Sequence, residues 1–330
     1  MCLFVLGGCS VDVDKPAPSS PIEPSRVQAP PALPSARYAQ LAVGPRDVMD
    51  IAIDDTYVYW LANHQMANQA DVYRVPKTGG TSELVAHVDG RVYHFAIDDA
   101  YVYLPVYVQS DAGGPFLRVP KAGGAFEVLD DHLRYLYLAA VRDGDAYTAP
   151  LVDESTLDYE VWRYPNGNGP RESVMSGLDG PESLVVNRDS LFATSEGNSK
   201  LQEAPMGGGP AVEPLTSLMA LRVASDGDRL YFLSGAVEEC AQSRISAWRP
   251  GDPALTDLGG LGSCAHDLAL ETSAVLAVGD HAILEFPLDG TGAQTVIDSL
   301  QAPMALAVEP DGSAIYWGDY ETGEIDRLDQ

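Results

Sequence analysis

Short stretches in which apolar and polar residues alternate recur along residues 37–330, and this alternation is typical of β-strands. Residues 51–59 read IAIDDTYVY, and residues 95–103 read FAIDDAYVY, 44 positions later. Residues 72–80 (VYRVPKTGG) and 116–124 (FLRVPKAGG) are also 44 positions apart. A repeat of this length indicates a fold assembled from copies of one structural unit.

Weaker copies of the unit follow along the chain. The last tyrosine of the YVY pattern has seven equivalents, at Tyr59, Tyr103, Tyr147, Phe192, Tyr231, Leu276 and Tyr316. The proline of the second pattern recurs at Pro76, Pro120, Pro165, Pro205, Pro250 and Pro287. We therefore expect seven units.

Each unit contains four strand patterns, here called A to D. Strand A (IAI) ends at a turn such as Asp54–Asp55, and strand B (YVYW) is rich in residues that favour strands. Strand C (VYRVP) is followed by a turn at Gly79–Gly80 and then by strand D (SELVA). Four-stranded units of this length, without a helical period, predict an all-β, seven-bladed β-propeller with antiparallel blades.

The two ends of the repeated region predict how the ring closes. The last unit stops at Gln330 without a strand D, while residues 39–43 (AQLAV) precede the first strand A. We expect residues 39–43 to complete the last blade, which would remove an open sheet edge. Residues 37–330 would then form one domain.

Segments of three units resemble known propeller repeats. Residues 314–325 (AIYWGDYETGEI) resemble the YWTD repeat of the low-density-lipoprotein receptor propellers, with Asp319 at the family aspartate and Gly318 in place of its threonine. Residues 58–60 are a partial copy, and residues 178–184 (LDGPESL) resemble blade starts in NHL-type and gluconolactonase-like propellers. YWTD domains have six blades, so the resemblance implies the fold and says little about the ligand.

The first residues resemble a targeting signal. The segment Leu6-Gly7-Gly8-Cys9 resembles the lipobox of bacterial lipoproteins, in which a peptidase cuts before the cysteine and the thiol carries a diacylglycerol. No basic region precedes it, so we interpret residues 1–9 as a truncated lipoprotein signal peptide, with a chance occurrence as the alternative. Ser10 stands where an aspartate would signal inner-membrane retention, so the resemblance implies an outer-membrane lipoprotein, periplasmic or surface-exposed.

Residues 10–36 predict a linker. They contain Pro16, Pro18, Pro21, Pro24, Pro30, Pro31 and Pro34 among Ser and Ala. This composition favours a semi-rigid, extended tether. Such a tether would hold the propeller off a membrane that it contacts only through the lipid.

Composition excludes several classes of protein. The 330 residues include 20 Lys and Arg against 48 Asp and Glu, a formal net charge of −28. A body this acidic repels a phosphate backbone, so nucleic acid is excluded as a partner. The 45% of apolar residues can bury a core. The sequence contains no run of about 18 apolar residues, which a membrane-spanning helix would need.

Two cysteines fall within the predicted propeller. Cys240 lies in the B-to-C loop of blade five and Cys264 lies in the next D-to-A loop, so both belong to one face. An even pair in an oxidising compartment predicts a disulfide, with two free buried thiols as the alternative.

That same face carries the variable loops, where binding sites are usually built. We expect long B-to-C loops in four blades, at residues 61–71, 105–115, 150–159 and 234–243. Positions just before each strand A should ring the mouth of the central channel on this face. They bring together Asp50, His94, Glu182, His266 and Asp267, whereas blade five contributes Met219 and Ala220.

The channel residues have two interpretations. A carboxylate and imidazole cluster can hold a divalent cation such as Ca²⁺, or do acid–base chemistry as in metal-dependent propeller lactonases. Alternatively, these groups are the solvated lining of a polar channel. We interpret Asp54–Asp55 and Asp98–Asp99 as turns, and the Tyr59, Tyr103 and Tyr147 series as core packing. We interpret the other histidines as loop or surface residues: His64, His87, His132 and His281.

No familiar catalytic motif is present, such as G-x-S-x-G, H-E-x-x-H or a Walker loop. The sequence therefore favours a monomeric, non-enzymatic, membrane-anchored scaffold that recognises a protein or glycan of the cell envelope through the long-loop face. The alternatives are a metal-dependent hydrolase or lactonase at the channel mouth and a purely structural envelope component.

Overall fold

A computed structural model describes residues 38–330 except 65, 110–112, 196–198, 210 and 236–241. The described strands, in chain order, are β1 (Tyr38–Val43), β2 (Val48–Ile53), β3 (Tyr57–His64), β4 (Gln69–Pro76), β5 (Glu83–Asp89), β6 (Ala96–Ile97), β7 (Tyr101–Pro105), β8 (Gly114–Pro120), β9 (Glu127–Leu133), β10 (Ala139–Arg142), β11 (Asp145–Thr148), β12 (Leu151–Asp153), β13 (Asp158–Tyr164), β14 (Glu172–Leu178), β15 (Pro181–Asn187), β16 (Ser190–Ser195), β17 (Lys200–Pro205), β18 (Val212–Thr216), β19 (Ala220–Ser225), β20 (Leu230–Ser234), β21 (Arg244–Trp248), β22 (Thr256–Gly260), β23 (Ala265–Leu270), β24 (Ala274–Gly279), β25 (Ile283–Pro287), β26 (Gln294–Ile297), β27 (Pro303–Val308), β28 (Ala314–Asp319) and β29 (Glu324–Asp329). A 3₁₀ turn, Pro165–Gly167, follows β13.

These strands form seven antiparallel sheets, and the predicted seven-bladed propeller is confirmed. Blades one to six are β2–β5, β6–β9, β10–β14, β15–β18, β19–β22 and β23–β26, and blade seven is β27–β29 with β1. Strand A is the innermost strand of each blade and strand D is the outermost. In the described residues no helix is long and apolar enough to cross a membrane.

The ring closes as the sequence predicts. Strand β1 pairs antiparallel with β29, with Gln40 opposite Asp326. The Gln40 side chain adds a hydrogen bond from Nε2 to Oε1 of Glu324, at 2.7 Å. Leu41 is buried in a cluster that contains Ile325 of blade seven and Trp60 of blade one, so the closing strand also joins the first and last blades through the core.

A repeated hydrogen-bond pattern explains the Asp-rich turns and the tyrosine series. In blade one, Asp54 Oδ1 accepts from the backbone N–H of Thr56 and Tyr57, both at 2.8 Å, and Oδ2 accepts from the Tyr59 hydroxyl at 2.9 Å. Asp98 with Tyr103 in blade two and Asp226 with Tyr231 in blade five repeat this arrangement. Tyr59, Tyr103 and Tyr147 are buried, which confirms their interpretation as core.

Lysines of the RVPK pattern connect neighbouring blades. Lys121 of blade two reaches back to blade one, where Nζ lies 2.9 Å from Asp54 Oδ2 and 5.5 Å from the centre of the Tyr59 ring. Lys77 of blade one reaches Glu309 of blade seven at 2.6 Å, across the seam where the ring closes. We call each such contact a lysine latch.

The connections sort onto two faces. The A-to-B and C-to-D connections form the turn face, and the B-to-C and D-to-A connections form the loop face.

The prediction of long loops in blades one and three was wrong. In blade one, β3 and β4 remain paired as far as His64 and Gln69. In blade three, β12 pairs with β13 and turns the predicted loop into a hairpin. Apolar and polar residues alternate in both segments, so the paired strands continue there, and their backbone N–H and C=O groups form hydrogen bonds with the neighbouring strand.

Candidate functional site

A fixed position on strand A places one side chain of each blade at the loop-face mouth of the channel. In five blades an irregularity in the pairing of strands A and B comes immediately before this position, which is occupied by Asp50, Ser183, Arg222, Asp267 and Ala305. A bulge of this kind re-aims a side chain. By the repeat spacing, blade two contributes His94 and blade three contributes Leu138.

The carboxylates at this position join adjacent blades. Asp50 Oδ1 accepts from its neighbour Ile51 N–H at 2.9 Å, and Oδ2 accepts from Phe95 N–H of the next blade at 3.0 Å. Asp267 makes the same two contacts, with Leu268 and with Leu306 of blade seven, both at 2.9 Å. The Ser183 hydroxyl likewise accepts from Val223 of blade five at 3.2 Å.

Two further side chains complete a group that we call the channel quartet: Asp50, His94, Arg222 and Asp267. His94 Nδ1 lies 3.4 Å from Asp50 Oδ2, and Arg222 Nε lies 3.7 Å from Asp267 Oδ1. All four side chains are about three-quarters or more buried. The quartet therefore brings together three of the five channel residues predicted from sequence.

The charges of the quartet act across the channel. Burial, reinforced by the charge of Arg222, lowers the pKa of His94, although Asp50 opposes the shift. Burial raises the pKa of Asp267 to about 7; Arg222 opposes this rise, while the charge of Asp50 adds to it. Burial disfavours the charged form of both side chains, so each is held closer to neutrality than in water.

The other two predicted residues do not join the quartet. His266 precedes Asp267 on β23, and its Nε2 lies 3.3 Å from Asp280 Oδ1 in the loop after β24. His266 lies at the irregularity between Ala265 and Asp267, and a bulge re-aims the side chains around it, which explains why His266 and Asp267 have different partners. Glu182 lies one position before Ser183, and its charge acts on Tyr159 of blade three.

Sequence reasoning missed Arg222 because it aligned blade five on Met219 and Ala220. The signal was present in the repeat itself. Tyr231 follows Phe192 by 39 residues, and the same step from Ser183 leads to Arg222. Leu276 follows Tyr231 by 45 residues, and that step leads from Arg222 to Asp267.

The quartet is built as a clamp between blades. The oxygens of Asp50 and Asp267 accept backbone N–H groups, and the positive charge in the channel comes from Arg222. Within the part of the chain that the structure describes, no group of three or more His, Cys, Asp or Glu side chains has the geometry to hold a metal ion. The contacts that the structure shows in the quartet are backbone hydrogen bonds, within and between blades, and the pairs of Asp50 with His94 and of Asp267 with Arg222.

A second group on the loop face consists of five tyrosines contributed by blades two and three and by the connections into them, which we call the tyrosine cluster. It comprises Tyr93, Tyr107, Tyr135, Tyr137 and Tyr159. Tyr137 lies 5.3 Å, centre to centre, from both Tyr93 and Tyr107. Tyr135 lies 6.2 Å from Tyr107 and 6.4 Å from Tyr137. Tyr135 is 43% exposed, whereas Tyr159 is buried beneath the group.

The hydroxyl groups of this cluster are close enough to influence one another. Burial, with the neighbouring phenols Tyr107 and Tyr159, raises the pKa of Tyr137. Burial also raises the pKa of Tyr159 to about 12, with added contributions from Tyr135, Asp179 and Glu182. Tyr137 and Tyr159 are therefore neutral hydrogen-bonding groups at physiological pH.

The sequence contained only a partial signal for the tyrosine cluster. Tyr93 and Tyr137 are 44 residues apart, one repeat, and each lies one position before the channel residue of its blade. Tyr107, Tyr135 and Tyr159 follow no such register, since they lie on three other segments that the ring brings together.

Two histidines interpreted as loop or surface residues share a partner. Asp71 of blade one is buried, and its carboxylate lies 2.8 Å from His64 Nε2 and 2.6 Å from His87 Nδ1. The Tyr73 hydroxyl donates to the same carboxylate at 2.9 Å. Although burial opposes ionisation, these hydrogen bonds lower the pKa of Asp71. His64 and His87 come together because their strands pair with the strand of Asp71.

Cys9 and the predicted linker lie outside the described residues, and so does Cys240. Cys264 precedes β23, where its backbone N–H donates to Asp280 Oδ2 at 3.2 Å. The disulfide between Cys240 and Cys264 stays a prediction.

Comparison with solved structures supports the fold. The chain is similar to the extracellular domain of BT4673 from B. thetaiotaomicron (TM-score 0.65, 12% identity, 89% of this chain and 40% of that chain). It is also similar to YCF48 bound to D1 peptide (TM-score 0.63, 15% identity, 91% and 99%). A third similar structure is PorZ, a bacterial surface component of the type-IX secretion system of Porphyromonas gingivalis (TM-score 0.59, 12% identity, 87% and 37%).

No protein-family model and no curated protein matches the sequence. At 12–15% identity these likenesses show the propeller fold alone. The chain spans about two fifths of the length of BT4673 and of PorZ.

Proposed function

We propose that this protein is a monomeric, envelope-anchored recognition propeller that binds a protein or glycan through its loop face. The observation that carries the proposal is the tyrosine cluster. Tyrosine provides a large, rigid contact area with a polar end and loses little conformational entropy on binding, which makes it frequent in binding surfaces. Here four of its rings, Tyr93, Tyr107, Tyr135 and Tyr137, meet on the face that carries the unequal loops.

The rest of the molecule supports this use. The latches and the channel quartet tie the blades together, so the cluster sits on a rigid scaffold, and rigid support lowers the entropic cost of binding. Two similar structures, BT4673 and PorZ, are an extracellular domain and a bacterial surface component, and the structure of YCF48 holds a peptide. These likenesses are consistent with an envelope protein that binds a polypeptide.

The test of recognition compares the two faces of the ring. Full-length protein carrying Tyr107→Ala and Tyr135→Ala should lose the partners that wild type captures from an envelope extract. The matched control is Tyr101→Ala, a partly buried tyrosine at the turn face that lies under Arg118. Partners retained by the loop-face variant, with its fold verified by circular dichroism, would overturn the proposal.

Anchoring at Cys9 is part of the proposal and has its own test. In a Gram-negative host, and with a complete signal peptide placed ahead of Leu6, wild type should incorporate radiolabelled palmitate and sediment with outer membranes, whereas Cys9→Ser should remain unlabelled. Equal labelling of the two proteins would contradict the anchor and leave the proposal of recognition unaffected.

The proposed disulfide between Cys240 and Cys264 has a separate test. If it forms, both cysteines of the denatured protein should resist alkylation until a reductant is added.

A further inference from the structure

Aromatic surface is available in the tyrosine cluster. Its ring pairs lie tilted or edge to face at 5.3–6.4 Å, rather than stacked in parallel. Tyr135 has a φ of 48°, in the left-handed region, and its side chain remains 43% exposed. Tyr93, Tyr107 and Tyr137 are each partly exposed. The exposed face of a tyrosine attracts cations through the ring quadrupole.

Carboxylates predominate around these rings. The charges of Asp179, on the connection into blade four, and of Glu182, near the start of β15, act on Tyr159. The hairpin of β12 and β13, which contains Tyr159, carries the exposed Asp153 and Glu154 and the partly exposed Asp158. The cations on these connections are Arg91, whose charge acts on Tyr107, and Arg134, which pairs with Glu154. These segments therefore carry five carboxylates and two guanidinium groups, an excess of negative charge.

The charge of the whole chain acts in the same direction. A formal net charge of −28 repels acidic polysaccharides and acidic peptides and attracts basic ones. Electrostatic complementarity of this kind speeds association and selects among partners. A neutral sugar would gain nothing from it.

The protein already uses contacts between arginine and aromatic rings within its own blades. The guanidinium carbon of Arg74 lies 4.4 Å from the centre of the Tyr57 ring, and that of Arg118 lies 4.1 Å from the Tyr101 ring. Arg171 covers Trp162 at 4.0 Å. A ligand arginine over Tyr135 would repeat this geometry with a partner supplied from outside.

We infer that the tyrosine cluster binds a basic polypeptide segment whose arginine or lysine side chains contact the phenol rings and the carboxylates around them. This inference rests on the proposed function of the loop face and names the class of its partner. The apolar stem of the basic side chain lies along the rings, while its charged end reaches Asp179 or Glu182.

The experiment measures binding of a fluorescent Gly/Ser peptide with four arginines to the full-length protein at 150 mM NaCl. A peptide with four glutamates and the neutral sugar maltohexaose serve as comparison probes. Asp179→Asn/Glu182→Gln removes two charges without changing side-chain shape, and Tyr135→Ala removes the exposed ring. Asp55→Asn/Asp99→Asn removes two exposed charges at the turn face and controls for net charge.

We expect both loop-face variants to weaken binding of the arginine peptide by about tenfold, which corresponds to the loss of one cation–π contact or charged hydrogen bond. The turn-face variant should change it less than twofold. Equal weakening by both charge variants would show general attraction to an acidic body and overturn the inference. So would binding of maltohexaose that Tyr135→Ala abolishes, although that result would leave recognition by the loop face standing. Should Tyr135→Ala fold poorly, the charge variants decide.

Discussion

At the scale of single residues, the channel quartet shows how a ring of blades handles charge in its centre. Asp50 and Asp267 are adjacent to the next blade in the ring and accept its backbone N–H groups. Arg222 comes from a different blade and interacts with Asp267 and, at longer range, with His94. The quartet therefore couples the titration of groups that are more than 40 residues apart in sequence.

Replacing Arg222 tests this coupling. In Arg222→Met the pKa of Asp267 should rise further and the pKa of His94 should rise, because the positive charge that opposes the first shift and reinforces the second is lost. NMR titration of the Asp267 carboxyl carbon and the His94 ring measures both. The control is Arg188→Met, which removes an exposed arginine paired with Asp228. A variant with both titrations unchanged would show that Arg222 does not act in the channel.

Asp267 also predicts a pH dependence of stability. Its pKa is about 7 in the folded chain and about 4 when unfolded, so between these values the folded state holds one more proton. The contribution of Asp267 to the free energy of unfolding is therefore present at low pH and is lost as the pH rises from 4 to 7, with a slope of up to about 1.4 kcal/mol per pH unit.

Asp267→Asn cannot titrate, so the stability of wild type relative to this variant should decrease across that window. Urea unfolding at pH 5, 6, 7 and 8 measures the difference. Asp99→Asn, which replaces an exposed turn residue, is the control variant. A flat difference for Asp267→Asn would mean that the carboxyl titrates as it does in water.

At the scale of elements, the lysine latches explain why the RVPK pattern is strongest in the first two units. Lys77 and Lys121 each reach the turn carboxylate of the preceding blade, whereas the equivalent position in blade three is Asn166. Although burial opposes ionisation, the N–H groups of Thr56 and Tyr57 and the latch lysine lower the pKa of Asp54 to about 2. Its contribution to stability is present above pH 4 and is lost as the pH falls towards 2.

Breaking one latch should be costly. In Lys121→Met the aliphatic stem is kept but Asp54 loses its cation in a site where its side chain is only 25% exposed. We expect a loss of about 1–3 kcal/mol in the free energy of unfolding at pH 7, and a smaller loss near pH 3. The matched control is Lys200→Met, which breaks a more exposed pair with Glu213 and should cost about 0.2–1 kcal/mol. An equal loss in the free energy of unfolding for the two variants would show that the latch contributes no more than a surface ion pair.

The elements were predictable from sequence because each blade is local. Strand B and strand C of one unit are neighbours in sequence, so alternation and turn residues such as Asp54 and Gly79 suffice to define them. The channel position could be predicted for the same reason, apart from the register of blade five. The prediction of long loops in blades one and three was wrong because the polar residues of an extended, paired hairpin resemble those of a loop.

The tyrosine cluster could not be predicted in this way. Tyr107 and Tyr135 lie on different connections, and only the curvature of the ring brings them within 6.2 Å. Local pattern carries no information on which connections of neighbouring blades converge. Sites built between repeats therefore require the closed structure, whereas sites built within one repeat do not.

At the scale of the whole molecule, closure by β1 makes the stability of every blade depend on one seam. Leu41 is 7% exposed and packs with residues of blades seven and one, whereas Val43 in the same strand is 59% exposed. Truncating a buried leucine to alanine costs about 2–5 kcal/mol. If the ring unfolds as one unit, this loss also lowers the free energy of unfolding of blades that do not contact Leu41.

Leu41→Ala should therefore accelerate hydrogen exchange in blade four, β15 to β18, by the same factor as in blade seven. The factor should be at least about 30, the equivalent of 2 kcal/mol, for amides that exchange only through global unfolding. Val43→Ala, in the same strand, should leave both blades unchanged. Faster exchange confined to blades seven and one would show that the blades open independently, and the closing strand would then protect only the seam itself.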